Sequence, residues 1–157
     1  MRSSHEPTSL DTYLTVHEQY LRRFEYFIVR NALDYTIAPT LVLWRGVLYC
    51  EDGFELHVAK TQALDRGVRT PTVVTVEYTY HALPREGDAV RNLFRYDNIH
   101  AQPGHLDRHH RHTFDAAGTE IEPPSSIGRE HWPTLSQVIQ KLYDLWETWK
   151  GQRSSDE

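Results

Sequence analysis

The sequence predicts an α+β fold, in which an antiparallel sheet of four to five strands packs with an N-terminal and a C-terminal helix. Apolar residues recur at helical spacing over residues 12–30 and again over 134–150, and β-rich segments with alternating polarity lie between them, within 41–115. The 157 residues, of which 39% are hydrophobic, match the size and composition of one globular domain, 1–157.

The N-terminal helix is predicted from a single apolar stripe. Leu14, Leu21, Phe24 and Ile28 follow one another at intervals of seven, three and four residues, the pattern of a helix lying on a core. We therefore expect a helical extension over 12–30, followed by a segment that is broken at Pro39.

The first hairpin of the sheet is predicted from two β-rich runs, LVLWRGVLYC (41–50) and FELHVAK (54–60). The residues EDG separate them, and Gly53 can adopt the positive φ of a tight turn.

A second hairpin is predicted from TVVTVEYTYHAL (72–83) and the FRYD stretch of AVRNLFRYDN (89–98), which both alternate in polarity. The face of the first strand predicted to be packed consists of Val74, Val76, Tyr78 and Tyr80. A symmetric loop would place Tyr78 opposite Phe94 and Glu77 opposite Arg95, which predicts a cross-strand ion pair.

The end of the chain is predicted to form a short strand in RHTFD (111–115), a long loop and a helix over 134–150. Thr134 and Gln137 have the spacing of a capping box, and Gly151 is placed to end the helix, with a frayed tail at 151–157. One helix face carries the apolar residues Leu135, Val138, Ile139, Leu142, Leu145, Trp146 and Trp149.

The composition favours a cytoplasmic protein. The longest apolar runs, such as LVLW (41–44), are far shorter than the roughly 20 residues of a membrane-spanning helix, so no segment is expected to cross a bilayer. The net charge of −5 argues against broad electrostatic attraction to nucleic acid or anionic lipid, so any contact with RNA has to be local. The single cysteine, Cys50, cannot form an internal disulfide, and the N-terminus lacks the apolar segment of a secretory signal.

The segment HAQPGHLDRHHRHTFD (100–115) contains five histidines and is the strongest candidate for chemistry. Imidazole titrates near neutral pH, so clustered histidines can exchange protons with a substrate. On a strand, His110 and His112 project to one side, and His109 and Arg111 to the other. Two imidazoles beside a guanidinium could cleave RNA without a metal ion.

Two other hypotheses remain open at this point. His110 and His112 could bind a divalent metal, with His100, His105 or Asp107 as further ligands. The chain could instead be a non-catalytic interaction module that docks a partner through Trp146 and Trp149. Histidines in a polar segment can also be surface residues without a role.

Several motifs resemble the signature of the TumE-like family of toxins from toxin–antitoxin pairs. A tyrosine-rich strand that ends near His81 is followed by RYDN (95–98), by HHxH (109–112) and by a closing helix that opens with PTL (133–135). The similarity spans roughly residues 41–145. It implies a toxin, and as its partner a cognate antitoxin, typically a DNA-binding repressor.

The hypothesis that combines these observations is a toxin that acts on RNA by metal-independent acid–base cleavage and needs no cofactor. His110 and His112 are the predicted proton-transfer groups, and Arg95 is predicted to stabilise charge on the phosphate, with Arg111 as the alternative. The predicted supporting residues are Asp97, His81, His100 and His109.

Overall fold

The computed structural model describes residues 6–67, 69–86, 89–90, 93–98, 110–114, 125–126 and 133–155. Within them the fold is α+β, with an antiparallel sheet and one helix near each end of the chain, as predicted. No helix in the described ranges is long and apolar enough to cross a membrane.

The sheet contains more strands than the four to five predicted. The elements are β1 (Thr8–Ser9), α1 (Leu10–Arg23), β2 (Ile28–Ile37), β3 (Leu41–Cys50), β4 (Glu55–Asp65), β5 (Thr72–Leu83), β6 (Arg85–Glu86), β7 (Ala89–Val90), β8 (Phe94–Asp97), β9 (His110–Thr113), β10 (Ser125–Ser126) and α2 (Leu135–Ser155). The strands of the sheet lie in the order β10-β9-β8-β5-β4-β3-β2, with β1 paired to β5, and β6 and β7 form a separate two-stranded ribbon.

Both helices pack on one face of the sheet, which we call the helix face. His17 of α1 lies against the Trp44 ring at 4.7 Å between centroids, and Lys141 of α2 donates from Nζ to the Tyr96 hydroxyl at 2.8 Å. The opposite face, which we call the outer face, carries the side chains of alternate residues. The hydrophobic core lies between the helix face and the two helices.

The first helix is shorter than predicted. Ser9 caps α1 by accepting a hydrogen bond from the Thr12 amide at 3.2 Å, and the helix ends at Arg23. The prediction of a helix up to residue 30 is wrong at that end, because Ile28 begins strand β2. Ile28 continues the apolar spacing of the helix, so the pattern does not mark the boundary.

The first predicted hairpin is confirmed. Strands β3 and β4 pair antiparallel across a short 3-10 turn at Glu51–Gly53. Gly53 has a φ of 78° and Asp52 a φ of 56°, so two consecutive residues adopt the left-handed conformation that reverses the chain.

The second hairpin forms, but its predicted register is wrong. Strand β5 pairs with β8 so that Tyr80 faces Tyr96 and His81 faces Arg95. Glu77 pairs with Thr61 on β4 instead of with Arg95. A register shift at Val76 leaves this residue 44% exposed, whereas Tyr78 is buried, so the predicted alternation holds only beyond the bulge.

The predicted capping box of α2 is confirmed. Gln137 Oε1 accepts from the Thr134 amide at 2.9 Å, and Thr134 Oγ1 accepts from the Gln137 amide at 3.3 Å. The prediction that Gly151 ends the helix is wrong, since α2 continues to Ser155. An exposed glycine inside a helix costs only about 1 kcal/mol, which the rest of the helix can offset.

The tryptophans of α2 pack within their own chain. Trp146 is 7% exposed, lies 5.0 Å from the Phe27 ring and donates from Nε1 to Asp52 Oδ2 at 2.8 Å. Trp149 is half-buried, with its ring 5.6 Å from that of Phe54. Leu145, which was predicted to lie on the buried face, is 38% exposed.

Candidate functional site

Four polar residues form one row across the outer face. His57 on β4 faces His81 on β5, His81 faces Arg95 on β8, and Arg95 faces His112 on β9. Neighbouring strands lie about 4.8 Å apart, so His81 and His112 flank Arg95 at about 10 Å from each other along the row. The pairing register therefore places one imidazole on each side of the Arg95 guanidinium.

Arg95, His112 and Asp97 are in direct contact. His112 Nε2 lies 3.0 Å from Asp97 Oδ2, and Arg95 Nη2 lies 3.2 Å from His112 Nδ1 and 3.1 Å from Nε2. A neutral His112 that donates its Nε2 hydrogen to Asp97 leaves Nδ1 as the acceptor for Arg95. The contact joins residues of the RYDN and HHxH motifs.

The three side chains differ in exposure. His112 is 3% exposed and Asp97 6%, whereas the Arg95 side chain keeps 36% of its surface exposed. Arg95 Nε lies 3.2 Å from Asp97 Oδ2, yet this buried N–H has no partner with hydrogen-bond geometry in the described part of the chain. Arg95 is thus the member of the contact that can reach a ligand, and its donors are not all in use.

His81 is the second imidazole next to Arg95. It is half-buried, and its ring stacks on Phe114 with 6.2 Å between the ring centroids. His81 was predicted only as a supporting residue, whereas the strand pairing places it directly opposite Arg95.

His57 is the fourth residue of the row, and it was not predicted from the sequence as a site residue. Its Nε2 lies 3.1 Å from Glu55 Oε1, and its side chain is 43% exposed. No local motif distinguishes this single histidine on a strand, so only the register of β4 and β5 could have identified it.

The other predicted site residues either lie on the helix face or have side chains outside the described residues. The backbone of His110 pairs with Asp97, and the His110 side chain lies outside the described residues. Arg111 faces Tyr96, so it belongs to the helix face, where it is exposed. His100 and His109 lie outside the described residues.

Most of the metal ligands proposed from the sequence lie outside the residues that the structure describes. His100, His105 and Asp107 lie outside the described ranges, as does the His110 side chain. Among the side chains that are described, no group of three His, Cys, Asp or Glu residues could hold a metal ion.

Asn98, the last residue of RYDN, has a structural contact that the sequence analysis missed. Its Oδ1 accepts from the Tyr78 amide at 2.9 Å, and its Nδ2 donates to the Val76 carbonyl at 2.9 Å. Both backbone groups flank the bulge of β5, where the regular ladder is interrupted. Asn98 therefore holds the strand that carries His81 beside the strand that carries Arg95.

We expect Asn98→Ala to lower the free energy of unfolding by about 2 kcal/mol, because it removes the acceptor for the buried Tyr78 amide and the donor to the part-buried Val76 carbonyl. Urea denaturation followed by circular dichroism measures the change. Asn31→Ala is the matched control, since it removes an exposed asparagine whose Oδ1 accepts from the Leu33 amide at 2.9 Å, and it should cost less. An unchanged midpoint for Asn98→Ala would show that these two hydrogen bonds do not hold the bulge.

Comparison of the chain with protein-family models, with curated proteins and with solved structures finds no match.

Proposed function

We propose that this chain is the toxin of a toxin–antitoxin pair and that it cleaves RNA without a metal ion at the outer-face site. One observation carries the proposal: Arg95 and Asp97 of the RYDN motif contact His112 of the HHxH motif directly. Motifs that are separate in the sequence thus contribute to one cluster of acid–base and phosphate-binding groups.

In the proposed reaction, Arg95 binds the scissile phosphate and stabilises the negative charge of the phosphorane. His81, on the neighbouring strand, accepts the proton of the ribose 2′-hydroxyl, whose oxygen then attacks phosphorus. The 5′ oxygen leaves and takes a proton from a second imidazole, for which His110, at the register position opposite Asp97, is the candidate. The products carry a 2′,3′-cyclic phosphate and a 5′-hydroxyl.

His112 and Asp97 are positioning residues in this account. Both ring nitrogens of His112 lie within hydrogen-bond distance of Arg95 or Asp97, and the ring is buried. Their hydrogen bonds fix the guanidinium at the centre of the row, and this preorganisation lowers the cost of binding the phosphate.

The implied partner is a cognate antitoxin, which in such pairs is typically a DNA-binding repressor. The toxin would act in the cytoplasm, where its RNA substrate is present. The net charge of −5 requires that RNA is attracted locally, by Arg95 and by histidines that gain charge when they are protonated.

Growth after induction tests the proposal in cells. We expect induction of the wild-type chain to stop growth, and His112→Ala to restore it, because Arg95 then loses its support. His57→Ala is the matched control: it removes a histidine of the same row that lies two strands from Arg95, and it should remain toxic. Unimpaired growth with the wild-type chain, or equal toxicity of His112→Ala at equal protein level, would contradict the proposal.

A further inference from the structure

A cavity of about 430 Å³ lies on the helix face, on the other side of the sheet from Arg95. It is bounded by β1, α1, β5 and the start of α2. Its volume lies in the range of pockets that hold small organic molecules. Its walls include the rings of three tyrosines, Tyr13, Tyr20 and Tyr80, and the apolar side chains of Val16 and Leu135.

Lys60 is buried behind the wall of this cavity, with 3% of its surface exposed; it does not line the cavity itself, and Tyr13 lies between them. Its Nζ contacts the hydroxyl of Tyr13, a residue of the cavity wall, and lies 4.7 Å and 4.9 Å from the ring centroids of Tyr13 and Trp44. Within the described part of the chain no carboxylate lies within ion-pair distance of Nζ, and Glu77 on β5 belongs to the outer face. The buried amine thus has hydroxyl and aromatic neighbours and no counter-ion among the residues that the structure describes.

Among the described residues, the titratable neighbours of Lys60 are a histidine and tyrosines, and none of them carries a negative charge. His17 of α1 contacts the Tyr20 hydroxyl, and burial together with the charge of Lys60 lowers the His17 pKa to about 4. Burial raises the pKa values of Tyr13, Tyr20 and Tyr80, so these side chains remain neutral hydroxyls. Burial also lowers the Lys60 pKa to about 7, because the ammonium is poorly solvated.

The start of α2 also favours a negatively charged ligand in the cavity. Pro133, Thr134, Leu135, Ser136 and Gln137 line the cavity, and the first turn of this 21-residue helix contains no acidic residue. The positive end of the helix dipole therefore faces the cavity without an acidic side chain in that turn.

We propose that the cavity binds a small organic monoanion with an apolar body, such as an aromatic carboxylate, whose charged group lies toward Tyr13 and Lys60. The single lysine matches one negative charge, and the tyrosine rings, Val16 and Leu135 match an apolar body. The carboxylate would accept a hydrogen bond from the Tyr13 hydroxyl and offset the charge of Lys60 through it. This site is separate from the proposed RNA site and does not depend on it.

Calorimetry with three naphthalene compounds tests the proposal on the full chain: 2-naphthoate, the neutral 2-naphthamide and the cationic 2-naphthylmethylamine. We expect wild type to bind the carboxylate at least about 10-fold more tightly than the amide, with the amine weakest. In Lys60→Met the carboxylate should lose this advantage, while the affinity for the amide should stay the same. Lys150→Met removes an exposed lysine and is the matched control.

Proton uptake provides a second readout. Burial lowers the Lys60 pKa to about 7, so the amine is mostly neutral at pH 8, and a bound carboxylate should raise this pKa. Binding at pH 8 should therefore take up protons in wild type and none in Lys60→Met. Calorimetry in two buffers of different ionisation enthalpy measures the uptake. Arg95→Met should bind 2-naphthoate like wild type, which separates this site from the outer-face site.

Tyr13→Phe keeps the ring and the lysine but removes the hydroxyl, and it should weaken carboxylate binding several-fold even if Lys60→Met does not fold. Equal affinities of wild type for 2-naphthoate and 2-naphthamide would overturn the proposal. So would an unchanged carboxylate affinity in a folded Lys60→Met, or no binding of 2-naphthoate up to about 1 mM.

Discussion

Replacing Arg95 with methionine is expected to lower the rate of RNA cleavage by roughly 100-fold or more, because the phosphorane loses its guanidinium. Methionine retains most of the aliphatic length, so β8 should keep its place between β5 and β9. Arg95→Lys restores the charge but not the planar fork, and it should recover only part of the rate. Initial rates on a fluorescent RNA oligonucleotide measure all three proteins.

Arg111→Met is the matched control for this experiment. It also removes one arginine, but Arg111 faces Tyr96 and so belongs to the other face of the sheet. If both methionine variants lose the same activity, the effect comes from net charge, and Arg95 has no special role. If neither loses activity, cleavage does not occur at the outer-face site.

The largest effect on stability is expected from Gly46→Ala, which should lower the free energy of unfolding by at least about 3 kcal/mol. Gly46 lies in β3 with a φ of +149°, and a Cβ atom there would lie 2.0 Å from the Ala32 carbonyl oxygen and 2.7 Å from Leu33 Cα. Both contacts are with the backbone of β2, so a side-chain rotation cannot relieve them. Strands β2 and β3 would have to separate locally.

Gly151→Ala is the control for Gly46→Ala, because a Cβ at Gly151 would meet no atom within 4 Å. Alanine there should stabilise α2 by about 0.5–1 kcal/mol through its higher helix propensity. Urea titrations of both variants give the two changes. A loss below about 1 kcal/mol for Gly46→Ala would be inconsistent with the pairing of Leu33 with Gly46.

The elements that the sequence predicted well are those with a strong local signal. The capping box at Thr134 and Gln137 and the turn at Gly53 depend on residues close together in the chain, and both are confirmed. Strand β2 has no such signal, since Leu33 is its one buried residue, and an edge strand needs little apolar patterning.

The candidate site was predictable in its residue types but not in its arrangement. The register of β5 and β8 depends on the bulge at Val76 and on Asn98, and neither follows from polarity alternation. A symmetric loop therefore predicted Glu77 opposite Arg95, whereas His81 occupies that position. The inclusion of His57 in the row also follows from strand pairing and not from any motif.

The most direct test is to incubate the purified chain with RNA in EDTA and to identify the ends of the products. The account predicts cleavage that EDTA does not reduce, with 2′,3′-cyclic phosphate and 5′-hydroxyl ends, and its loss in Arg95→Met. Intact RNA, cleavage that EDTA abolishes, or equal cleavage by Arg95→Met would contradict metal-independent chemistry at Arg95.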